Sequence, residues 1–222
     1  QSSNGRNYLH NVDLYYNLPF GLEVTAAYTH YEAPKDQLLD GKLNETEKNL
    51  IASSRQKINK WLVAADQSHS LQNDWGLSYG VKAQFTNNNS FQTTQTPDGE
   101  TLPEATSSVD IDERIINTYL GFNKQFGENV SLDASLAVEN YHTPQWNEWR
   151  VYPAVDVIWN VNEHHLLNLS FSSNAEYPSY WSTMNSIHYS STYSEIWGNP
   201  NLKPTSVYNL SLMWQLNRRY TF

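Results

Sequence analysis

Residues 77–85 read Leu-Ser-Tyr-Gly-Val-Lys-Ala-Gln-Phe, apolar at every odd position and polar or small at every even one. A period of two fits a β-strand, where successive side chains point to opposite faces, and does not fit a helix of period 3.6. The pattern recurs along the chain. Leu22, Val24, Ala26 and Tyr28 alternate with Glu23, Thr25, Ala27 and Thr29. Val130, Leu132, Ala134, Leu136 and Val138 alternate with Ser131, Asp133, Ser135 and Glu139. Tyr208, Leu210, Leu212 and Trp214 alternate with Asn209 and Ser211. The same reading places strands at 8–16, 22–31, 58–65, 75–85, 114–122, 130–138, 149–159, 166–172 and 207–214, with another starting at Tyr220. The expected fold is all-β: an antiparallel up-and-down meander of about ten strands, one unit spanning 1–222 with no interdomain linker.

The connections sort by length. Those at 17–21, 66–74, 124–129, 160–165 and 215–219 are short; those at 32–57, 87–113, 140–148 and 173–206 are longer. They alternate along the chain, and in a meander alternate connections lie at the same end. All short turns therefore belong to one end of the sheet and all long loops to the other. In the 32–57 connection, Asn44 followed by Glu47 predicts a short capped helix over Leu50 and Ile51. The Asn-, Thr-, Gln- and Ser-rich stretch 87–113 predicts a mobile loop.

Charged residues make up 17% of the chain, below the usual ~25% of soluble domains, while aromatics reach 14%, with 15 Tyr and 8 Trp. With no Cys, thiolate sites and disulfides are excluded, and a net charge of −9 without a basic stripe argues against nucleic acid. No apolar run approaches the roughly 20 residues of a membrane helix. The mean hydropathy of −0.66 is compatible with a transmembrane barrel, where only alternate strand residues meet lipid. One predicted face carries Glu23, Thr25, Lys82, Gln84, Asp133, Ser135, Glu139, Asn168 and Ser170, too polar for the dry core of a small soluble barrel. Trp75, Phe126, Trp159 and Trp214 sit beside short turns, where interfacial rings belong. A soluble sandwich with one wetted face also alternates. The chain opens at Gln1 with no signal peptide, as expected of a mature or excised segment.

The run Gly198-Asn199-Pro200-Asn201-Leu202-Lys203-Pro204 resembles the GNPxLKPE segment of the barrels of TonB-dependent receptors, an outer-membrane β-barrel family. Residues 152–157 and 165–172 resemble the two strands that precede that segment in the family, and 117–139 resembles one of its hairpins. The two prolines fix φ, and the glycine was expected to permit an unusual backbone angle. The sequence departs from the family at 174–178, where an Arg-Pro pair is usual, and at Thr205, where Glu is usual. Family barrels have about 22 strands and a plug with a TonB box. The resemblance therefore implies a barrel segment without its plug, working with outer-membrane lipid, an energy-coupling TonB-type protein and a small-molecule or glycan substrate. A C-terminal Phe222 fits the alternative of a small complete barrel, and a surface glycan-binding sheet is the other alternative. A segment with two bare edge strands is also expected to self-associate.

The densest group of rings in a polar setting is Tyr177, Tyr180, Trp181, His188, Tyr189, Tyr193 and Trp197. Flat rings among Ser, Thr and Asn suit sugars and other amphipathic ligands, and equally suit mutual packing that orders a long loop. No catalytic constellation, cofactor or metal is expected. Glu23, Asp133 and Glu139 suggest a facing carboxylate pair but are explained more simply as wall polarity. Asp110, Asp112 and Glu113 lack the spacing of a calcium loop. His164 and His165 are adjacent and point apart on a strand.

Overall fold

The computed structural model describes residues 2–43, 46–217 and 219–221. Eleven strands form one antiparallel sheet. β1 (Ser2–Gly5) and β2 (Tyr8–Asn17) share one edge, both pairing with β3 (Leu22–Leu43). β4 (Thr46–Ser70), β5 (Trp75–Gln95), β6 (Ser107–Phe126), β7 (Val130–His142), β8 (Asn147–Asn162) and β9 (His165–Glu176) follow as consecutive neighbours. β12 (Thr205–Leu216) pairs with β9, and β13 (Tyr220–Thr221) ends the path. The two edges do not pair with each other, so the described sheet is open. A separate hairpin, β10 (Ile187–Ser191) and β11 (Ser194–Trp197), and one helical turn, α1 (Tyr180–Thr183), lie between β9 and β12.

The pairing register fixes the faces. Leu77, Tyr79, Val81 and Ala83 share the outward face with Leu132, Ala134, Leu136, Leu210 and Leu212, because directly opposed residues in an antiparallel pair point the same way. Glu23, Asp66, Lys82, Asp133, Glu139 and Ser170 share the inward face. Leu210 and Leu212 are 73% and 67% exposed, as a lipid-facing row must be. The turns expected to be short all fall at one end; left-handed backbone at Gly21 and Gly127 closes two of them.

Three expected loops are largely strand. Residues 32–43 and 46–57 continue β3 and β4 without a break in register, and Leu50 and Ile51 oppose Leu39 and Leu38 in the ladder where a helix was expected. Asn44 lies outside the described residues. β5 and β6 likewise continue to Gln95 and back from Ser107, so the Asn-rich stretch is paired backbone rather than a free loop. The 140–148 connection narrows to a turn between His142 and Asn147.

Two aromatic levels bracket the apolar part. Trp75, Phe126, Trp159 and Trp214 point outward at the short-turn end, with the Lys124 ammonium 5.6 Å from the Trp75 ring and 5.7 Å from the Phe126 ring. At the other level Tyr28, Trp61 and Phe85 stand directly opposite one another across β3, β4 and β5, the first two rings 4.3 Å apart. Ten residue steps separate Trp75 from Phe85, about 34 Å along a strand at ~3.4 Å per residue. At a tilt near 45° the rise is about 24 Å, matching an apolar band of ~25 Å. Beyond this level the outward face turns mostly polar, with Asn59, Lys57 and Arg55 on β4, Asn87 and Asn89 on β5, and Asp112 and Asp110 on β6; Phe91 and Ile51 are outward apolar residues farther on. The polar groups bind one another rather than lipid. Arg55 Nε donates to Glu32 at 2.9 Å, Ser53 to Asp36 at 2.7 Å, and Asn87 Nδ2 to Asp110 and Asp112 at 2.9 and 3.1 Å. The strands thus cross an apolar layer and stand well beyond it.

Candidate ligand-binding site

The inward face of the strand extensions is polar yet buried: Thr86, Asn88, Ser90, Gln92 and Thr94 all lie within it. Segment 177–204 covers it. The segment folds inward over the wall. Ile187 and Tyr189 pack with Leu39, Leu50 and Ala105 into an apolar cluster outside the membrane layer. Gln92 Nε2 donates to the Ile187 carbonyl at 2.7 Å, and His188 Nδ1 lies 2.9 Å from Gln92 Oε1, which assigns the imidazole proton to Nδ1 in the neutral ring. The Lys48 ammonium sits 5.1 Å from the Tyr189 ring centroid. At the hairpin tip, Gly41 leaves room for Thr192, whose Oγ1 would lie 2.6 Å from an added Cβ.

Two carboxylates on the wall fasten the segment's start. Glu139 accepts hydrogen bonds from Tyr152 (3.0 Å) and Tyr177. Glu113 accepts from Tyr141 and Tyr180. Burial first, then the bond to Glu113, pushes the Tyr180 hydroxyl well above the ordinary tyrosine range, so it stays a donor. The Gly-Asn-Pro run fastens the segment's end. The Asn199 amide donates to the Ser182 carbonyl at 2.7 Å, and its side chain accepts from the Asn201 amide at 2.9 Å. Lys203 Nζ donates to Glu148 at 2.7 Å, and Arg150 Nη2 to the Pro204 carbonyl at 2.9 Å. Gly198 has no positive φ; the left-handed glycines are Gly21, Gly99 and Gly127. What it supplies is space, since a Cβ there would overlap the Met184 carbonyl oxygen.

The seven rings therefore divide. Tyr177 and Tyr180 are tied to the wall, and Tyr189 is buried in the cluster. Tyr193 lies at the hairpin tip near Gly41, and Trp197 on β11 is 72% exposed. Trp181 and His188 stay together, ring centroids 6.1 Å apart, and line an open pocket of about 570 Å³ with Tyr31, Lys35, Ser54 and Gln56. Burial, then the nearby Lys35 ammonium, holds the His188 imidazolium pKa below its ordinary value. Glu113, Glu139, Gln92, Gln56 and Lys35 were not singled out as partners of the aromatic segment, because nothing in sequence spacing links them to it.

The suggested carboxylate pair is not assembled. Glu23 lies on β3 and Glu139 on β7, four strand steps apart, about 19 Å at ~4.8 Å per step. Asp133 and Glu139 are about 20 Å apart along one strand at ~3.4 Å per residue. Two-carboxylate hydrolysis needs roughly 5–10 Å. Of the His pair, His165 accepts a hydrogen bond from Trp214 Nε1 at 3.0 Å and stacks on its ring.

Two solved structures share the fold. A complex of FpvAI with pyocin S2 superposes with a TM-score of 0.61 at 13% identity, over 94% of this chain and 30% of that one. P. aeruginosa FpvA bound to heterologous pyoverdines gives 0.56 at 14% identity, over 95% and 30%. The chain thus spans about 30% of the length of either. No curated protein matches it. The sequence pattern of the outer membrane protein β-barrel family matches residues 21–222. That match begins at the first short turn, takes in both aromatic levels and runs through the fastened segment, so the chain belongs to the outer membrane protein β-barrel family and resides in the outer membrane.

Proposed function

We propose that this sheet is part of the wall of a TonB-dependent uptake receptor, and that segment 177–204 is its ligand-recognition element. The observation that carries the reading is the position of the segment: it is fastened to the inward face, beyond the outer aromatic level, where a solute entering a barrel from outside first meets the wall. The pocket beside Trp181 supplies a flat ring, an imidazole, a tyrosine, amide and hydroxyl groups and one ammonium. That set suits a polar ligand with an apolar face. The fold relatives, by their descriptions, hold a pyocin and pyoverdines; a compact polar ligand imported by this chain's parent receptor is consistent with that company. A TonB-type protein, acting through a plug, provides the energy.

The test uses the full-length receptor in cells, at matched surface levels. Candidate nutrients are screened for uptake that stops when the energy-coupling protein is deleted. The Trp181→Ala, Trp197→Ala double variant is then expected to reduce that uptake at least tenfold. Uptake that persists without energy coupling removes the transporter reading. Unchanged uptake in the double variant shows that neither ring takes part in recognition.

A further inference from the structure

The outward face carries a second concavity, at the outer aromatic level. A groove of about 370 Å³ is lined by Trp61, Phe85, Arg114 and His142, by Asn59, Asn87, Thr86 and Pro144, and by two acids, Asp112 and Glu113. Its floor is a single register row. Trp61 opposes Phe85, Phe85 opposes Arg114, and Arg114 opposes His142. Reading across the strands, the row passes from aromatic to cationic. Below it the outward residues are Val63, Val81 and Ala83; immediately above it they are Asn59, Asn87 and Asp112. The groove therefore lies where acyl chains give way to headgroups.

Charge adds the second argument. The chain is acidic overall, and the outward cations above this level are engaged or remote: Arg55 is paired with Glu32. Among the described residues, the side chains of Arg114 and His142 make no hydrogen bond or ion pair. The nearest acids are hydrogen-bonded elsewhere: Asp110 and Asp112 accept from Asn87 Nδ2, and Glu113 accepts from Tyr141 and Tyr180 on the inward face. A planar guanidinium left open beside two rings at a lipid boundary matches a phosphate whose glycerol or sugar carrier rests on the rings. We infer that this groove seats the phosphate headgroup of an outer-leaflet lipid. Arg114 bonds the phosphate oxygens, His142 supplies a second donor, and Trp61 and Phe85 take the apolar part below. Anionic lipid would then be held at one place on the wall as well as forming the general annulus.

The experiment takes the full-length receptor in phosphatidylcholine nanodiscs with a minor fraction of phosphatidylglycerol and counts retained phosphatidylglycerol by native mass spectrometry. Arg114→Gln with His142→Gln is expected to cut the tightly retained lipid at least fivefold, while Arg114→Lys keeps part of it. Lys57→Gln, an outward cation farther from the membrane, should leave retention unchanged. All of these side chains point outward, so heat-modifiable gel mobility is expected to show folded barrel in every variant. Equal retention in the double variant overturns the assignment, as does an equal loss in Lys57→Gln, which would reduce the effect to bulk charge. Inorganic phosphate should not displace the lipid; displacement at millimolar concentration would make the groove a free-anion site and overturn the lipid assignment.

Discussion

Gln92 donates its amide to the main-chain carbonyl of Ile187, 95 residues farther along, at 2.7 Å. The same side chain accepts from His188, so one amide satisfies two groups of the inward hairpin in a buried setting. Gln92→Leu removes both bonds and leaves a buried carbonyl and an imidazole N–H without partners, each costing about 1–3 kcal/mol. We expect residues 186–198 to lose most of their hydrogen-exchange protection while the strands below Phe85 keep theirs. Full protection in the variant would show that the apolar cluster alone holds the hairpin.

Docking of that hairpin should also depend on pH through His188. Its folded pKa lies below the ordinary value of about 6.5 because burial, then Lys35, disfavours the charged ring. At a pH between the folded and unfolded values the undocked state binds more protons, so stability rises with pH there. The contribution is fully present above about 6.5 and is lost as pH falls through the folded pKa. Opening rates of 186–198 should rise on acidification in the native protein, and His188→Gln should flatten the dependence.

Gly198→Ala tests the space argument. Because the obstacle is the Met184 main chain, no side chain can swing away, and the hairpin must shift from the Ser186 and Ser182 carbonyls it now engages. A loss of about 1–3 kcal/mol in docking is expected, the usual scale of overpacking. Limited proteolysis between 184 and 198 reads it; unchanged resistance would show that the Met184 main chain can yield to a Cβ without loosening the hairpin.

The membrane span makes its own prediction. Val81 points outward between the two aromatic levels, and Asn89 points outward above them. Val81→Lys should destabilise the folded receptor in bilayers by about 2–4 kcal/mol, the midplane value, and Asn89→Lys by under about 1 kcal/mol. Equal costs at the two sites would misplace the outer boundary.

How much of this could be read from sequence follows from the same boundary. Between Trp75 and Phe85 one face meets lipid and the other water, and that contrast writes the alternation seen in 77–85. From 86 to 90 both faces are polar: Asn87 and Asn89 point out, Asn88 and Ser90 point in. Alternation vanishes although the ladder does not, so strands of more than twenty residues appeared as strands of about ten joined by loops. Asn is a poor strand former on its own; continuous pairing with β4 and β6 overrides that tendency. The aromatic segment was visible as a local excess of rings. Its inward fold was not, because Tyr177 and Tyr180 find Glu139 and Glu113 across 38 and 67 residues, separations that carry no periodic mark. The Gly-Asn-Pro run was legible as a motif, and its role as a fastening became clear only from Glu148 and Arg150 on β8.

The ladder between β3 and β4 runs from Leu22 opposite Gln67 to Leu43 opposite Thr46 without a single register shift. In mechanical terms such a wall is a stiff lever with no hinge along its length. Bending it at the level of the pocket would break main-chain hydrogen bonds on both sides of every strand. Under the proposed function, rearrangement on ligand entry would be channelled into the strap of residues 177–204, whose fastenings are individual side chains and can release one at a time. In that reading the wall would be the stator and the strap the moving part.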